Sequence, residues 1–245
     1  MRLKADDRLF VLTGAGISAE SGLATFRGSG GLWNGYRVEE VATPEAWQAD
    51  PELVWRFYSM RRRDAMAAEP NEAHRALAEI ERRMGERFFL CTQNVDDLHE
   101  RGGSQRVHHM HGTLFQSRCV RCDEPFADRR HYESMQELPV CERCGSAVRP
   151  HIVWFGEIPL DMDRIYRELA HSTVLLVVGT SGAVYPAAGL VNIAGQHGIR
   201  TVYVGPEEPQ NADAFDEILL GTATEIVPRL VPLVKDDVGQ EGERA

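Results

Sequence analysis

Two apolar runs that end abruptly in polar or glycine-rich segments place the strongest constraint on the fold. Phe88 to Cys91 is followed at once by a row rich in amide and carboxylate side chains, Thr92-Gln93-Asn94-Val95-Asp96-Asp97-Leu98-His99. Thr173 to Val178 is followed by Gly179-Thr180-Ser181. Continuous apolar runs of this length are typical of parallel strands that are buried on both faces. Because open parallel sheets bind ligands just beyond the carboxyl ends of their strands, both endings are predicted to line one cleft.

A third apolar run, Arg8 to Thr13, ends in Gly14-Ala15-Gly16-Ile17-Ser18-Ala19. This segment fits the G-x-G-x-x-G/A pattern between a strand and a helix, where glycine lets the backbone approach a diphosphate and the helix N-terminus supplies positive potential. A tight turn without a ligand has the same pattern, so both interpretations stay open. A dehydrogenase would also need an acidic residue at the end of a second strand, about 20 positions on. Here Glu39 and Glu40 follow no strand-like run, which argues against hydride transfer.

The alternation of strand-like and helical segments predicts an α/β fold with a Rossmann-like, doubly wound parallel sheet. We predict a discontinuous large domain over residues 1–35, 84–112 and 150–235, and a polar tail over 236–245. A helical insertion over 36–83 and a cysteine-bearing module over 113–149 would form a smaller domain. Helices are expected to begin near Pro44, Pro51 and Asn71, and further helices to cover 186–196, 211–220 and 224–234. Residues 28–36 hold four glycines and two aromatics, which suits either a mobile loop that closes over a ligand or an ordinary surface loop.

The charge balance argues against nucleic acid or an anionic membrane as the main partner. The chain has 37 acidic and 27 basic residues, a formal net charge of −10, whereas both of those partners are themselves negatively charged. No apolar run approaches the roughly 20 residues that span a bilayer, and the first residues lack the apolar core of a signal peptide. We therefore expect a cytoplasmic protein with no membrane partner.

Four of the five cysteines form two C-x-x-C pairs, Cys119 with Cys122 and Cys141 with Cys144. In a reducing compartment this spacing is typical of a tetrahedral Zn²⁺ site with four thiolates. Four sulfur ligands leave no position for water or substrate, so the ion is expected to be structural. Free or catalytic thiols are the less favoured alternative. The nearby histidines at 108, 109 and 111 are not needed as ligands.

Asn94, Asp96 and His111 are the side chains best suited to chemistry. An amide and a carboxylate two residues apart can orient a water molecule and bind a small polar ligand, although either side chain could instead cap the helix that begins nearby. His111 precedes Gly112 at the end of a predicted strand, where an imidazole can act as a general base near neutral pH. A purely structural histidine is the alternative.

Taken together and in their order along the chain, these motifs resemble the sirtuin family. The resemblance covers about residues 8–232 and rests on the Gly14 and Gly179 loops, Thr92 to Asp96, His111-Gly112, the two cysteine pairs and Val153-Trp154-Phe155-Gly156-Glu157. Phe57-Tyr58-Ser59-Met60-Arg61, with Ala19, is similar to the bacterial members of the class III branch.

The resemblance implies an NAD-dependent protein-lysine deacylase with a Rossmann-like domain and a small zinc-binding and helical domain. Acylated-lysine proteins would be the substrates, and the products would be nicotinamide, O-acyl-ADP-ribose and free lysine. His111 would activate a ribose hydroxyl on an imidate intermediate, Asn94 would position ribose and water, and Asp96 would bind the nicotinamide amide. Val153, Trp154, Phe155 and Gly156 would pair with the substrate backbone. Further NAD contacts are implied for Gly14, Ala15, Gly16, Phe26, Arg27, Gln93, Gly179, Thr180, Ser181, Gly205, Glu207 and Ala223.

Tyr58 and Arg61 predict a preference for acidic acyl groups. They are three positions apart in a helical segment and therefore share a face. A phenol beside a guanidinium can bind the terminal carboxylate of a succinyl or malonyl chain, and acetyl-lysine would also be accepted. The alternative is that Arg61-Arg62-Arg63 is a solvated helix face.

Two positions depart from the family pattern. Thr25 stands where many sirtuins have aspartate, and Gly205 stands where an asparagine usually binds the adenosine ribose. Either NAD binds more weakly or Glu207 takes over the ribose contact. A mono-ADP-ribosyltransferase and a non-catalytic, zinc-stabilised NAD-binding module remain the competing functions.

Overall fold

The computed structural model describes residues 3–4, 6–25, 32–33, 35–132, 138–182 and 186–233. The predicted NAD contacts Phe26 and Arg27, most of the glycine-rich loop over 28–36 and the polar tail over 236–245 lie outside the described residues.

The described residues contain strands and helices that alternate over much of the chain. The strands are β1 Leu9–Thr13, β2 Leu32–Trp33, β3 Tyr36–Arg37, β4 Phe88–Thr92, β5 Val107–His109, β6 Gly112–Cys119, β7 Pro125–Ala127, β8 Val148–Ile152, β9 Val174–Val178, β10 Arg200–Gly205 and β11 Glu217–Leu220. The helices are α1 Gly16–Ala19, α2 Val38–Val41, α3 Pro44–Ala49, α4 Pro51–Ala67, α5 Glu72–Met84, α6 Leu98–Arg101, α7 Met162–Ala170, α8 Gly189–Gln196 and α9 Ala223–Ile226. Within the described ranges, none of the helices combines the length and apolar character needed to span a membrane.

Six strands form one parallel sheet in the order β11-β10-β9-β1-β4-β5. From β1 the chain adds β4 and β5 on one side, and later β9, β10 and β11 on the other. The strand order therefore reverses between β1 and β9, and this switch point opens a crevice at the carboxyl ends of the strands. Thr13 at the end of β1 pairs in register with Thr92 and Val178, so the three motif-bearing loops leave the sheet side by side.

Both faces of this sheet are covered by helices, which confirms the predicted doubly wound α/β fold. Alternate residues of β1 point to opposite faces. Leu9 and Val11 pack with α5 and α9 on one face, while Phe10 and Leu12 pack with α7 and α8 on the other. Asn71 caps α5 as predicted, because its Oδ1 accepts from the backbone N–H of Ala73 at 3.0 Å.

A second, antiparallel sheet of β7, β6 and β8 packs against α4 beside the main sheet. Four buried side chains form its small apolar cluster: Trp55, Cys119, Tyr132 and Val148. Arg62 is fully buried and donates to the backbone oxygen of Leu114 at 2.5 Å and to Ser117 Oγ at 2.9 Å. A buried cation therefore ties α4 to β6, and the solvated-face interpretation of the arginine run is wrong at this position.

The predicted helix over 211–220 is wrong, because Glu217–Leu220 pairs with β10 as an edge strand. The apolar residues Ile218, Leu219 and Leu220 do not alternate with polar residues at helical spacing. Pairing with β10 gives their backbone N–H and C=O groups hydrogen-bond partners. Asp216 fixes the start of this strand, since its carboxylate accepts from Thr201 N–H at 2.8 Å. The predicted helix over 224–234 becomes the single turn α9 followed by a 3₁₀ segment, Val227–Leu233, that contains Pro232.

Candidate active site

A cavity of about 480 Å³ lies between the carboxyl edge of the main sheet and the smaller sheet with α4. It is lined by eighteen of the predicted site residues: Gly14, Ala15, Gly16, Tyr58, Arg61, Gln93, Asn94, Asp96, His111, Val153, Trp154, Phe155, Gly156, Gly179, Thr180, Ser181, Gly205 and Ala223. Glu207 is exposed and is not among the described residues that line it. The sequence therefore indicated most of one continuous cleft, and the roles of the individual residues remain predictions.

The two glycine loops are held against each other by backbone contacts. The N–H of Gly16 donates to the carbonyl of Gly179 at 2.7 Å, and the N–H of Gly14 donates to the carbonyl of Val178 at 3.0 Å. A Cβ at position 16 would lie 2.7 Å from the Cα of Gly179, so no larger residue fits. Gly179 itself has a φ of +66°, which favours glycine. The glycines are thus required by loop packing before any ligand is considered.

Ser18 links the two polar side chains that follow β4. Its hydroxyl accepts from Asn94 Nδ2 at 3.1 Å and donates to Asp96 Oδ2 at 3.2 Å. Asp96 also accepts from Leu98 N–H at 3.1 Å, so it stabilises the start of α6, whereas the Asn94 side chain makes no such bond. Burial raises the pKa of Asp96, and the hydrogen bonds from Leu98 and Ser18 oppose that rise. Both side chains are fixed where the cleft passes over β4.

His111 presents an imidazole nitrogen to the cavity in a defined tautomer. Its Nδ1 lies 3.1 Å from the carbonyl oxygen of Gln93. A carbonyl oxygen can only accept, so Nδ1 carries the proton of the neutral ring and Nε2 carries the lone pair. Burial lowers the pKa of His111, although the Gln93 carbonyl partly offsets this effect. His111 is therefore a neutral ring with basic Nε2 at neutral pH.

His109 hydrogen-bonds the backbone carbonyl of Asn94, the residue after Gln93, and unlike His111 it is paired with a carboxylate. Its Nδ1 lies 3.0 Å from the oxygen of Asn94, and its Nε2 lies 2.7 Å from a carboxylate oxygen of Glu100. Burial alone would lower the pKa of His109, but the ion pair with Glu100 raises it overall. The two histidines therefore fix consecutive backbone carbonyls, at Gln93 and Asn94, and only His111 is poised as a base.

Tyr58 and Arg61 belong to α4 and line the cavity on the side of that helix. Trp154 Nε1 donates to the phenol oxygen of Tyr58 at 3.0 Å, so the phenol proton is left to donate elsewhere. The Arg61 guanidinium lies 4.1 Å from the ring centroid of Trp33 and is stacked on it. Its buried Nη1 has no hydrogen-bond partner within the described part of the chain. Burial raises the pKa of Tyr58 and lowers the pKa of Arg61, because removal from water disfavours the charged form of each group.

The four paired cysteines converge on one point, as the spacing predicted. Their sulfur atoms lie within 4.8 Å of one another, with Cys119 to Cys144 at 3.6 Å and Cys122 to Cys141 at 4.0 Å. Zn–S bonds of about 2.3 Å in a tetrahedron place sulfurs about 3.8 Å apart, so the set fits a Zn²⁺ ion. Because all four ligands are protein sulfurs, the ion would stabilise the fold of this module rather than bind substrate.

Removal of zinc with a strong chelator is expected to unfold the cysteine module and inactivate the protein. A structural site worth several kcal/mol corresponds to a fall in Tm of roughly 10 °C or more for a chain of this size. Differential scanning fluorimetry before and after chelation, with metal analysis of the purified protein, measures this effect. Added Zn²⁺ should restore Tm, and an unchanged Tm after demonstrated metal loss would contradict a structural role.

Several cavity-lining residues were not singled out from the sequence, namely Ser18, Glu20, Trp33, Tyr203 and Thr222. Ser18 lies at a helix start and Tyr203 within a buried strand, positions where packing alone explains such residues. The position of Ser18 directly after the glycine loop was the only available signal.

The comparison with protein families places the cavity in a known context. A model of the Sir2 family matches residues 14–186, more than half of the chain. This range includes His109, His111 and the four cysteines of the zinc site. The chain belongs to the Sir2 family. Among its Sir2 relatives is an NAD-dependent protein deacylase of Caulobacter vibrioides, which is 50% identical over 227 residues that cover 91% of this chain and 95% of the relative. An NAD-dependent protein deacylase of Escherichia coli strain K12 is 48% identical over 226 residues, 91% of this chain and 81% of the relative.

Solved Sir2 structures share this fold over most of the chain. A Sir2 homologue in complex with ADP-ribose superposes with a TM-score of 0.87 at 45% identity, over 94% of this chain and 93% of that one. A Sir2 homologue in complex with NAD superposes with a TM-score of 0.86 at 45% identity, over 94% and 90% of the two chains. The sirtuin resemblance recognised from the motifs is thereby confirmed at the level of family and fold.

Proposed function

We propose that this Sir2-family chain is an NAD-dependent protein-lysine deacylase that removes succinyl and malonyl groups and retains activity on acetyl groups. The deacylase activity is supported by the names of relatives that match over most of its length. The acyl preference is supported by one observation above all, the buried Nη1 of Arg61 that lacks a hydrogen-bond partner among the described residues. A buried polar group in that state favours a ligand that supplies the missing partner.

The cleft residues fit NAD as the cofactor. The loops at Gly14 and Gly179 would accommodate the diphosphate, because their glycines leave backbone exposed at the switch point of the sheet. Asn94 and Asp96 would bind the nicotinamide ribose and the amide. When bound, NAD supplies a ribose carbon that takes the acyl oxygen as nicotinamide leaves. His111 would then accept a proton at Nε2 from a ribose hydroxyl, while the Gln93 carbonyl stabilises the proton on Nδ1.

The acyl carboxylate would be bound by Arg61 and Tyr58 together. The Tyr58 oxygen already accepts from Trp154, so its proton is directed away from that bond and can be donated to a carboxylate. Arg61 would add a charge-assisted hydrogen bond from a guanidinium already fixed against Trp33. Such a bond contributes about 1.5–3 kcal/mol, which corresponds to roughly one to two orders of magnitude in preference over an acyl chain without a carboxylate.

The Val153 to Gly156 segment would contact the peptide through its carbonyl groups. The N–H of Val153 donates to His111 O at 2.9 Å and the N–H of Phe155 donates to Ala42 O at 3.0 Å, so both amides are already used. Arg149 and Glu157 form an ion pair at 2.7 Å beneath the segment, and the Arg149 guanidinium stacks on Trp154 at 3.3 Å. The segment is thereby held in one conformation, ready to receive an extended substrate strand.

The direct test is product analysis with NAD and a succinyl-lysine peptide. We expect nicotinamide release, free lysine peptide and O-succinyl-ADP-ribose in equal amounts by mass spectrometry. The mono-ADP-ribosyltransferase alternative is not favoured by the relatives, and it would instead label a protein acceptor and leave the acyl-peptide intact. A zinc-stabilised binding module without turnover would release no nicotinamide.

The pH dependence of kcat/KM should report His111 as the base. The base works when Nε2 is unprotonated, so activity rises with pH through the pKa of His111. Burial lowers that pKa, so the acid limb is expected below the usual histidine value of about 6.5, with full activity at neutral pH. An acetylated peptide is the suitable substrate, because its acyl group does not titrate.

Two results would contradict the assignment of this acid limb to His111. One is a profile that is flat down to the onset of unfolding. The other is an inflection above about 6.5 that moves in the Glu100→Gln variant, because Glu100 raises the pKa of His109 and not of His111.

A further inference from the structure

Asp97 is the carboxylate of the polar row after β4 that no cofactor contact explains. It directly follows Asp96, yet it is not among the described residues that line the cavity. Its side chain is only 13% exposed, and a carboxylate withdrawn from water in this way needs positively charged partners. Arg129 Nη2 donates to Asp97 Oδ2 at 2.9 Å, and Arg101 Nη1 lies 3.7 Å from Asp97 Oδ1. The carboxylate therefore joins two arginines from distant parts of the chain.

Arg129 belongs to the stretch of chain between the two cysteine pairs, and β6 holds it in place. Its guanidinium stacks on the ring of Phe115, with Cζ 4.1 Å from the ring centroid. The residue before it is also fixed, because the buried carboxylate of Asp128 accepts a hydrogen bond from Ser117 Oγ at 2.7 Å. The main chain and the guanidinium of Arg129 are thus both held where they face Asp97.

The loop after β4 is anchored on both sides of Asp96. Before it, the carbonyls of Gln93 and Asn94 accept from the two histidines, and the carbonyl of Val95 accepts from a β6 backbone N–H at 2.7 Å. After it, the ion pair of Asp97 ties the loop to the chain between the cysteine pairs. The carboxylate of Asp96 is therefore positioned by the contacts of its neighbours as well as by its own hydrogen bonds.

We infer that Asp97 and Arg129 are a positioning pair for the nicotinamide end of the NAD site. Their ion pair restricts the movement of Asp96, the residue that would bind the nicotinamide amide, and neither side chain touches the ligand. The inference rests on the proposed function and adds to it two residues that lie outside the cavity lining. It also connects the zinc-binding part of the chain to the cofactor loop through one contact.

Arg129→Met removes the ion pair and leaves an apolar side chain beside Phe115. Because the Arg129 side chain is 59% exposed, its ion pair can shift an equilibrium by at most about fivefold. We expect the inhibition constant of nicotinamide, measured with an acetylated peptide, to rise by about 3- to 5-fold. The Kd for ADP-ribose from isothermal titration should stay at the wild-type value, because ADP-ribose lacks nicotinamide and the loop before Asp96 keeps its own anchors. The value of kcat at saturating NAD and the Tm should also stay near those of the wild type.

A double-mutant cycle shows whether the two residues act as one unit. Asp97→Asn should raise the nicotinamide inhibition constant as Arg129→Met does, and the double variant should bind nicotinamide no more weakly than Asp97→Asn alone. Arg129→Lys keeps the positive charge and should recover part of the loss. Arg56→Met is the matched control, because it removes a surface ion pair on α4, with Glu52 at 3.6 Å, outside the cavity lining. This control should behave as wild type in every measurement.

Three results would overturn the inference. One is an unchanged nicotinamide inhibition constant in Arg129→Met, and another is a loss in the double variant equal to the product of the two single losses. The third is an equal weakening of nicotinamide and ADP-ribose, which would make the pair a general support of the fold. If Arg129→Met proves less stable, Asp97→Asn and Arg129→Lys give the same comparison in folded protein. Failure of the wild type to bind ADP-ribose would instead contradict the proposed cofactor.

Discussion

Replacement of Arg61 by methionine is expected to lower kcat/KM on a succinylated peptide by about 10- to 100-fold, the value of one charge-assisted hydrogen bond. The same change should alter kcat/KM on the matched acetylated peptide by less than about threefold, since acetyl has no carboxylate to bind. Methionine is a flexible, apolar side chain that can fill much of the same space, and it removes the guanidinium that stacks on Trp33. The loss should therefore appear mainly in KM for succinyl-peptide, while the NAD site is unchanged.

Arg63→Met is the matched control, because Arg63 is on the same helix but is exposed and does not line the cavity. We expect this variant to behave as wild type on both peptides. Tyr58→Phe should act in the same direction as Arg61→Met with a smaller loss, since it removes one neutral donor. Equal losses of kcat/KM on succinyl- and acetyl-peptides in Arg61→Met would show that the arginine stabilises the cleft and does not bind the acyl carboxylate.

Replacement of His111 by alanine is expected to have the largest effect of any single change. General base catalysis contributes about 100- to 10,000-fold, so kcat should fall by that factor on every acyl-peptide. The fall should be the same for succinyl and acetyl, because the base acts on the ribose and not on the acyl end. Steady-state nicotinamide release with peptide present measures it.

His108→Ala is a useful comparison, because His108 is on the same segment but its Nε2 lies 3.4 Å from the carbonyl of Leu160, away from the cavity. Its kcat should stay near the wild-type value in a protein whose Tm shows it to be folded. The affinity of His111→Ala for ADP-ribose should also be retained within a few-fold. Nicotinamide release that is unchanged in His111→Ala would remove His111 from the chemistry.

The parts of the site that the sequence predicted are motifs formed by residues close together in the chain. The apolar runs at β1, β4 and β9 each end in a loop motif, and parallel strands necessarily bring those ends to one edge. The cysteine pairs are similarly local, and their convergence follows from zinc geometry alone. These local features are sufficient to predict the fold class, the cleft and the metal site.

The parts that the sequence did not predict depend on contacts between residues far apart in the chain. Trp154 is 96 positions from Tyr58, yet its indole N–H sets the direction of the phenol proton. Ser18 is 76 positions from Asn94 and joins it to Asp96. The strand β11 was missed for the same reason, because its pairing with β10 overrides the local pattern.

The arginine run on α4 shows this limit within three consecutive residues. Arg61 stacks on Trp33 in the cleft, Arg62 is fully buried against β6, and Arg63 is exposed. Helical rotation of about 100° per residue requires the three to face differently. It does not say which of them meets a cavity, a sheet or water, because that depends on elements tens of residues away.

The most direct test of this account is kcat/KM of the wild type on matched succinyl-, malonyl- and acetyl-lysine peptides at saturating NAD. If Tyr58 and Arg61 bind the acyl carboxylate, the succinyl and malonyl values should exceed the acetyl value by about 10-fold or more. An acetyl value equal to or above the other two would contradict the account, since a buried guanidinium and phenol aimed at the acyl chain would then contribute nothing to its recognition.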